Sequence, residues 1–246
     1  MNPKEIIVLP TVEKLADFIV ALLSKEIAEP RNSEFISVAL SGGSTPKKIF
    51  EYISSHNSGL VNWNKVKFFW GDERCVPPDD NESNYKMTRL SLFEKLNIPE
   101  KNIFRIFGED QPDNEAVRYG KIISENVSIK AQLPSFDLII LGLGEDGHTA
   151  SIFPKNTELF YSTTVCEVAT HPQSGQKRIT LTGPVINNAK DIVFMVTGPD
   201  KAKMVANIIQ ENEEPKLPAS LVNPTNGTLM WLLDSEAARL LPQNNK

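Results

Sequence analysis

Phe35-Ile36-Ser37-Val38-Ala39-Leu40-Ser41-Gly42-Gly43-Ser44-Thr45-Pro46 passes from an apolar run, through a glycine pair, to a proline. Phe35–Leu40 is continuous rather than alternating, which suits a strand covered on both faces, as in a parallel sheet. Pro46 after Thr45 is a good first-turn arrangement, and a helix is expected over Pro46–Ser54. The glycines let the backbone approach a ligand closely, and the two hydroxyls and the helix N-terminus supply donors and a positive dipole. The residues therefore support two readings, an anion site or a tight strand-to-helix turn capped by Thr45. It is not a Walker A loop, because the Gly-Lys-Ser/Thr ending is missing.

The same alternation repeats outward from this unit. Ile6–Leu9, Val66–Trp70, Leu138–Leu141, Ile179–Leu181, Ile192–Val196 and Leu229–Leu233 read as strands. Helical patterns lie between them at Val12–Leu23 with Thr11 as cap, and at Tyr85–Leu96, Asn114–Ile129 and Lys201–Ile209. Ser83 or Asn84 is placed to cap the second of these. The expectation is one α/β domain over residues 1–246, an open, mostly parallel sheet with helices on both faces. In such a sheet ligands sit beyond the carboxyl ends of the strands, so the loops that follow strands matter most.

Composition sets the outer limits. The chain has 246 residues, 40% apolar and 23% charged, with a formal charge of −5. That is ordinary globular composition. It argues against a nucleic-acid partner held by phosphate contacts and against a polybasic membrane anchor. The two cysteines, Cys75 and Cys166, form no CxxC pair and no disulfide framework. No apolar run reaches transmembrane length, and Met1–Phe18 lacks the pattern of a signal peptide. A cytoplasmic protein without membrane partner is expected, with no metal, since no His, Cys or Asp spacing makes a ligand set.

Two further loops and two cations are candidates to carry chemistry. Gly71-Asp72-Glu73-Arg74 follows a strand, and its two acids and arginine suit substrate hydroxyls or a charge clamp; a surface ion-pair cluster is the plain alternative. Gly142-Leu143-Gly144-Glu145-Asp146-Gly147-His148-Thr149-Ala150 also follows a strand. Gly142, Gly144 and Gly147 match GxGxxG, and Glu167 lies where a dinucleotide fingerprint wants an acid. Glu145 and Asp146, however, would put negative charge where a pyrophosphate must sit. The alternative is that the glycines expose Asp146 and His148: imidazole is the usual general base, and a nearby carboxylate fixes its tautomer. The last loop features are two cations, Arg178 and Lys201. Lys201 opens a helix against its dipole, which pairing with a phosphate would explain. Cys75 reads as a packing residue and His171 as part of a flexible loop, neither assigned to the site.

These segments together resemble the 6-phosphogluconolactonases. The resemblance runs in order through Ser41–Pro46, Gly71–Pro77 with Ser83-Asn84-Tyr85, Gly142–Pro154, Arg178–Thr182, the Lys201 segment, Pro218–Val222 and Trp231–Asp234. It implies hydrolysis of 6-phospho-D-glucono-1,5-lactone to 6-phospho-D-gluconate, the second step of the oxidative pentose phosphate pathway, without a cofactor. It also implies a modified Rossmann-like α/β fold shared with glucosamine-6-phosphate isomerases and deaminases. In that frame His148 is the base that takes a proton from water, with Asp146 orienting or polarising it. Arg74 or the backbone N–H groups near Gly43 face the oxyanion, and Asp72 bonds sugar hydroxyls or supports Arg74. Gly42, Gly43, Ser44, Thr45, Arg178 and Lys201 hold the phosphate.

Rival readings differ at identifiable residues. The deaminases resemble HxAFNEP after the histidine, and here Phe153 stands at the glutamate's place in His148-Thr149-Ala150-Ser151-Ile152-Phe153-Pro154. Gly71-Asp72-Glu73-Arg74 also departs from their Asp-Glu-Tyr form. A non-catalytic sugar-phosphate binder would not need Asp146 and His148, and an NAD-linked oxidoreductase would rest on the GxGxxG match alone. The assembly is expected to be a monomer or a small homo-oligomer.

Overall fold

The computed structural model describes residues 4–31, 33–56, 59–211 and 216–242, so the domain expected over 1–246 includes short stretches outside the described residues. β1 (Lys4–Leu9) leads through α1 (Val12–Ala28) to β2 (Ile36–Leu40), α2 (Ser44–His56) and β3 (Val66–Trp70). Then come β4 (Asp72–Arg74), α3 (Asn84–Thr88), a π-helical turn at Arg89–Phe93, α4 (Glu94–Leu96) and α5 (Pro112–Asn126). A small hairpin of β5 (Ile129–Lys130) and β6 (Leu133–Pro134) precedes β7 (Leu138–Leu141). The chain ends with β8 (Cys166–Thr170), β9 (Lys177–Leu181), α6 (Gly183–Asn187), β10 (Asp191–Val196), α7 (Ala202–Ile209) and β11 (Thr228–Asp234).

Six strands form one sheet in the order β1-β11-β10-β7-β2-β3, and every pairing in it is parallel. This is the Rossmann-like α/β architecture. Every residue of β2, β7 and β10 is buried, so both faces of the centre are covered. The edge strand β1 keeps Ile6 and Val8 exposed. Stacked Phe194 and Trp231, with ring centroids 4.2 Å apart, fill the middle of the core. Burying each such ring contributes about 1.5–3 kcal/mol.

Local signals account for most element boundaries. Thr11 caps α1 by accepting from Lys14 N–H, and Ser83 caps α3 by accepting from Lys86 N–H. Other boundaries move. α2 begins at Ser44 rather than Pro46. α5 runs Pro112–Asn126 rather than to Ile129, because Gln111 caps it early and Ile129 enters β5.

The larger difference concerns the strand at Ile179–Leu181. It lies outside the parallel sheet, in an antiparallel sheet of order β4-β9-β8. Asp72–Arg74, expected as loop, is one of its strands, and β8 was not anticipated at all. Gly71 joins the two sheets: its N–H donates to Leu40 C=O and its C=O accepts from Leu181 N–H, both at 2.8 Å. The Tyr119 hydroxyl of α5 accepts from Trp70 N–H at 2.8 Å, holding the end of β3 beneath this junction.

Candidate active site

The loops that follow β2, β3, β7 and β10 all leave the same end of the parallel sheet and line one cavity of about 410 Å³. Of the residues expected at the site, Gly42, Gly43, Asp72, Arg74, Asp146, His148, Arg178 and Lys201 line it. Ser44 and Thr45 do not line it. They form the first turn of α2, and the Thr45 hydroxyl is engaged with that of Thr197 at 2.7 Å. Their backbone N–H groups belong to a helix N-terminus, which has no intrahelical acceptors for them.

Asp146 and His148 meet across a turn at Gly147, whose φ is +82°. His148 Nδ1 lies 2.5 Å from Asp146 Oδ1, and His148 N–H donates to the same oxygen at 3.2 Å. A carboxylate at Nδ1 requires the proton there, leaving the Nε2 lone pair free. Burial pushes the Asp146 carboxyl up, but the hydrogen bond and charge of His148 outweigh it, so the group titrates below the ordinary carboxylate value. A Cβ on Gly144 would collide with the His148 ring and crowd Asp146 Oδ1. The pair thus packs directly on bare backbone. The turn is buttressed from outside: Ala219 N–H donates to Gly147 C=O at 3.0 Å, and Leu217 covers Gly147.

Arg74, Arg178 and Lys201 bring positive charge to the same cavity. Arg74 and Arg178 face each other across the β4–β9 pair. Like charges at opposed positions of a sheet are destabilising unless something offsets them. Asp72 does so in part: its Oδ2 lies 3.9 Å from Arg178 Nη1 and accepts from Ser151 Oγ at 2.6 Å. Burial pulls the Arg178 guanidinium down from its ordinary value, against the charge of Asp72. Arg74 Nη1 donates to the Glu82 carbonyl. Among the described residues neither Arg74 nor Lys201 has a carboxylate within ion-pair distance. Lys201 ends a turn whose Gly198 N–H is held by the Asp234 carboxylate at 3.0 Å.

A family profile described as Glucosamine-6-phosphate isomerases/6-phosphogluconolactonase matches residues 10–231. The chain belongs to this family. It is an enzyme of the isomerase/lactonase family, and its relatives divide the possibilities further. The 6-phosphogluconolactonase of Treponema pallidum is 42% identical over 80% of this chain and 80% of its own length. That of Haemophilus influenzae is 42% identical over 84% of this chain and 88% of its own. The solved structure of 6-phosphogluconolactonase from Trypanosoma cruzi superposes with a TM-score of 0.84 at 30% identity, covering 98% of both chains.

Phe153 stands five residues after His148, where the deaminase motif considered from sequence has a glutamate. Phe153 is fully buried, with its ring centroid 4.7 Å from that of His148. An apolar ring, not a carboxylate, therefore backs the histidine.

Sequence reasoning missed several residues. Asn84, considered only as a cap, donates from its amide to Asp72 C=O at 2.9 Å and fills the space where a Gly42 side chain would stand. Buried Glu73 accepts from the N–H groups of Arg74, Asn84 and Tyr85, each at 2.8 Å, and from Ser83 Oγ at 3.0 Å. Burial pushes its carboxyl up, against these bonds. Ser151 carries no role in the sequence reading, and Phe153 only that of standing where the deaminases have a glutamate. His171 and Gln173, left out of the site, line the cavity. The signal for Glu73 was its place beside Asp72 and Arg74; for His171 no local signal existed.

Proposed function

We propose that this chain hydrolyses 6-phospho-D-glucono-1,5-lactone to 6-phospho-D-gluconate. The observation that carries this reading is the His148–Asp146 contact of 2.5 Å in a cavity that Arg74, Arg178 and Lys201 also line. The lactone is an ester, so its acyl carbon needs a water nucleophile, and its phosphate needs cations at a distance. The two curated relatives named above, both called 6-phosphogluconolactonase and both 42% identical, support the same substrate.

His148 Nε2 takes a proton from water as the water oxygen bonds to C1. Asp146 holds the Nδ1 proton and stabilises the imidazolium that forms. The carbonyl oxygen becomes an oxyanion, facing Arg74. The C1–ring oxygen bond then breaks, and the proton on His148 passes to the departing oxygen. The products are a carboxylic acid, which ionises, and a hydroxyl. Arg178, Lys201 and the backbone N–H groups of Gly42 to Thr45 hold the phosphate, with binding energy remote from C1 used for positioning. Asp72 steadies Arg178 and Ser151 within reach of the sugar.

A single domain carries this whole site, and the two free cysteines suit a reducing, cytoplasmic setting. Phe153 disfavours the deaminase, which would need a carboxylate behind the histidine. The test follows loss of lactone, generated in situ from glucose-6-phosphate, above its spontaneous rate. Acceleration by the wild type and its loss in His148→Ala support the reading. No acceleration by the wild type overturns it.

A further inference from the structure

His171 sits at the start of the hairpin between β8 and β9, a turn closed by His171 N–H to Gln176 C=O at 2.9 Å and Gly175 N–H to His171 C=O at 3.0 Å. Its Nδ1 faces two backbone donors, the N–H groups of Gln173 at 3.4 Å and Ser174 at 3.2 Å. Two donors at one ring nitrogen require a lone pair there, so the proton of the neutral ring is on Nε2. The ring stands edge-on to Phe153, with centroids 5.1 Å apart, and Arg178 lies over that same Phe153 at 5.6 Å. Both residues line the cavity. The hairpin is tied across to the loop before α3 by Gln176 Nε2 donating to Glu82 Oε2 at 2.9 Å, and Glu82 is the residue whose carbonyl holds Arg74.

We propose that His171 is a further substrate-binding residue, which donates Nε2–H to a phosphoryl oxygen held by Arg178. The inference rests on the sugar-phosphate reading above. A third cation beside Arg74 and Arg178 would be costly, whereas a neutral donor adds a directed bond to the anion without adding charge. Burial, then the charges of Arg178, His148 and Arg74, hold the ring below the ordinary imidazole value against the pull of Asp146, which keeps it in that neutral form.

Two substitutions separate the ends of the ring. Asn at this position keeps an acceptor for the Gln173 and Ser174 N–H groups and removes the distal donor. Gln places an N–H near Nε2 and loses the proximal acceptor. The measurements are KM and kcat for the lactone, Kd for 6-phosphogluconate, and the phosphorus-31 resonance of 6-phosphogluconate at saturation. His171→Asn is expected to raise KM and Kd about tenfold, the size of a lost bond to a charged acceptor, and to shift the resonance, with kcat within about twofold. His171→Gln is expected to stay near wild type in all three. An Asn variant that binds like wild type, while Gln is weakened, overturns the proposal and confines His171 to its own turn. Weakened affinity with an unmoved resonance overturns the phosphoryl contact. Wild type that binds 6-phosphogluconate without hydrolysing the lactone overturns the hydrolytic reading and leaves the His171 test intact.

Discussion

The turns after β2 and β7 leave neighbouring strands of one sheet and face one cavity, yet they use opposite parts of the polypeptide. The turn after β2 offers backbone. Gly43 has φ +106°, nothing stands within 4 Å of the side chain it lacks, and the nearby Thr45 hydroxyl is turned away to Thr197. The turn after β7 offers side chains. Gly144 is bare because the His148 ring and Asp146 occupy the space a Cβ would take. Gly43 thus serves a backbone conformation, and Gly144 a steric vacancy. Anion binding needs exposed N–H groups, whereas base catalysis needs one imidazole held at one angle.

The comparison breaks most sharply at His148. His148→Ala is expected to lower kcat by about 10²- to 10⁴-fold, the usual contribution of a general base, with Kd for 6-phosphogluconate nearly unchanged. Equal rates in both proteins would remove the base from the turn after β7. Next in size, Gly144→Ala displaces the Asp146–His148 pair. A fall of about tenfold or more in kcat with little change in KM is expected in steady-state assays. Gly43→Ala touches nothing, so its effect is conformational, about 1–2 kcal/mol for a left-handed alanine. It is expected to appear as a lower Tm and a KM raised several-fold, with kcat retained. If Gly43→Ala lowers kcat as Gly144→Ala does, the division of labour between the turns is wrong.

Smaller effects sharpen the same contrast. Ser44→Ala and Thr45→Ala are expected to leave KM within about threefold, because in the proposed function the turn after β2 binds through its N–H groups. A tenfold rise would return the hydroxyls to the phosphate. Cys75 adjoins Arg74 but belongs to neither turn. Burial, aided by the charges of Glu73 and Glu115, pushes its thiol up to about 11. Its alkylation at pH 8 is therefore expected to be about a hundredfold slower than for an unperturbed thiol, rising with pH toward that value. Cys75→Ala should leave kcat within about twofold.

Legibility in the sequence followed the range of the interaction. β3 and β7 have the limits that their apolar runs predict, and α1 starts at the residue after Thr11. Asp146 and His148 were readable because they are two residues apart across a glycine turn, so their contact is local. Asp72–Arg74 carries no strand signal: three charged residues become a strand only because β9 supplies partners from more than a hundred residues away. The bonds of Ser151 to Asp72 and of Thr45 to Thr197 span 79 and 152 positions, beyond any sequence pattern. His171 looked like a loop histidine for the same reason, since its place beside Phe153 comes from the pairing of β8 with β9.

The amino-acid sequence alone determined the parallel α/β class, the loops that line the cavity and the Asp146–His148 contact, because burial periodicity, glycine turns and i, i+2 contacts are short-range physics. Tertiary structure alone decided that Arg74 stands opposite Arg178, that Asp72 is shared with Ser151, that the Ser44 and Thr45 side chains stay out of the cavity, and that His171 enters it. Those outcomes depend on which strand ends and hairpins converge in space. Convergence is set by the summed packing of both sheets and their helices, which no local stretch of the chain encodes.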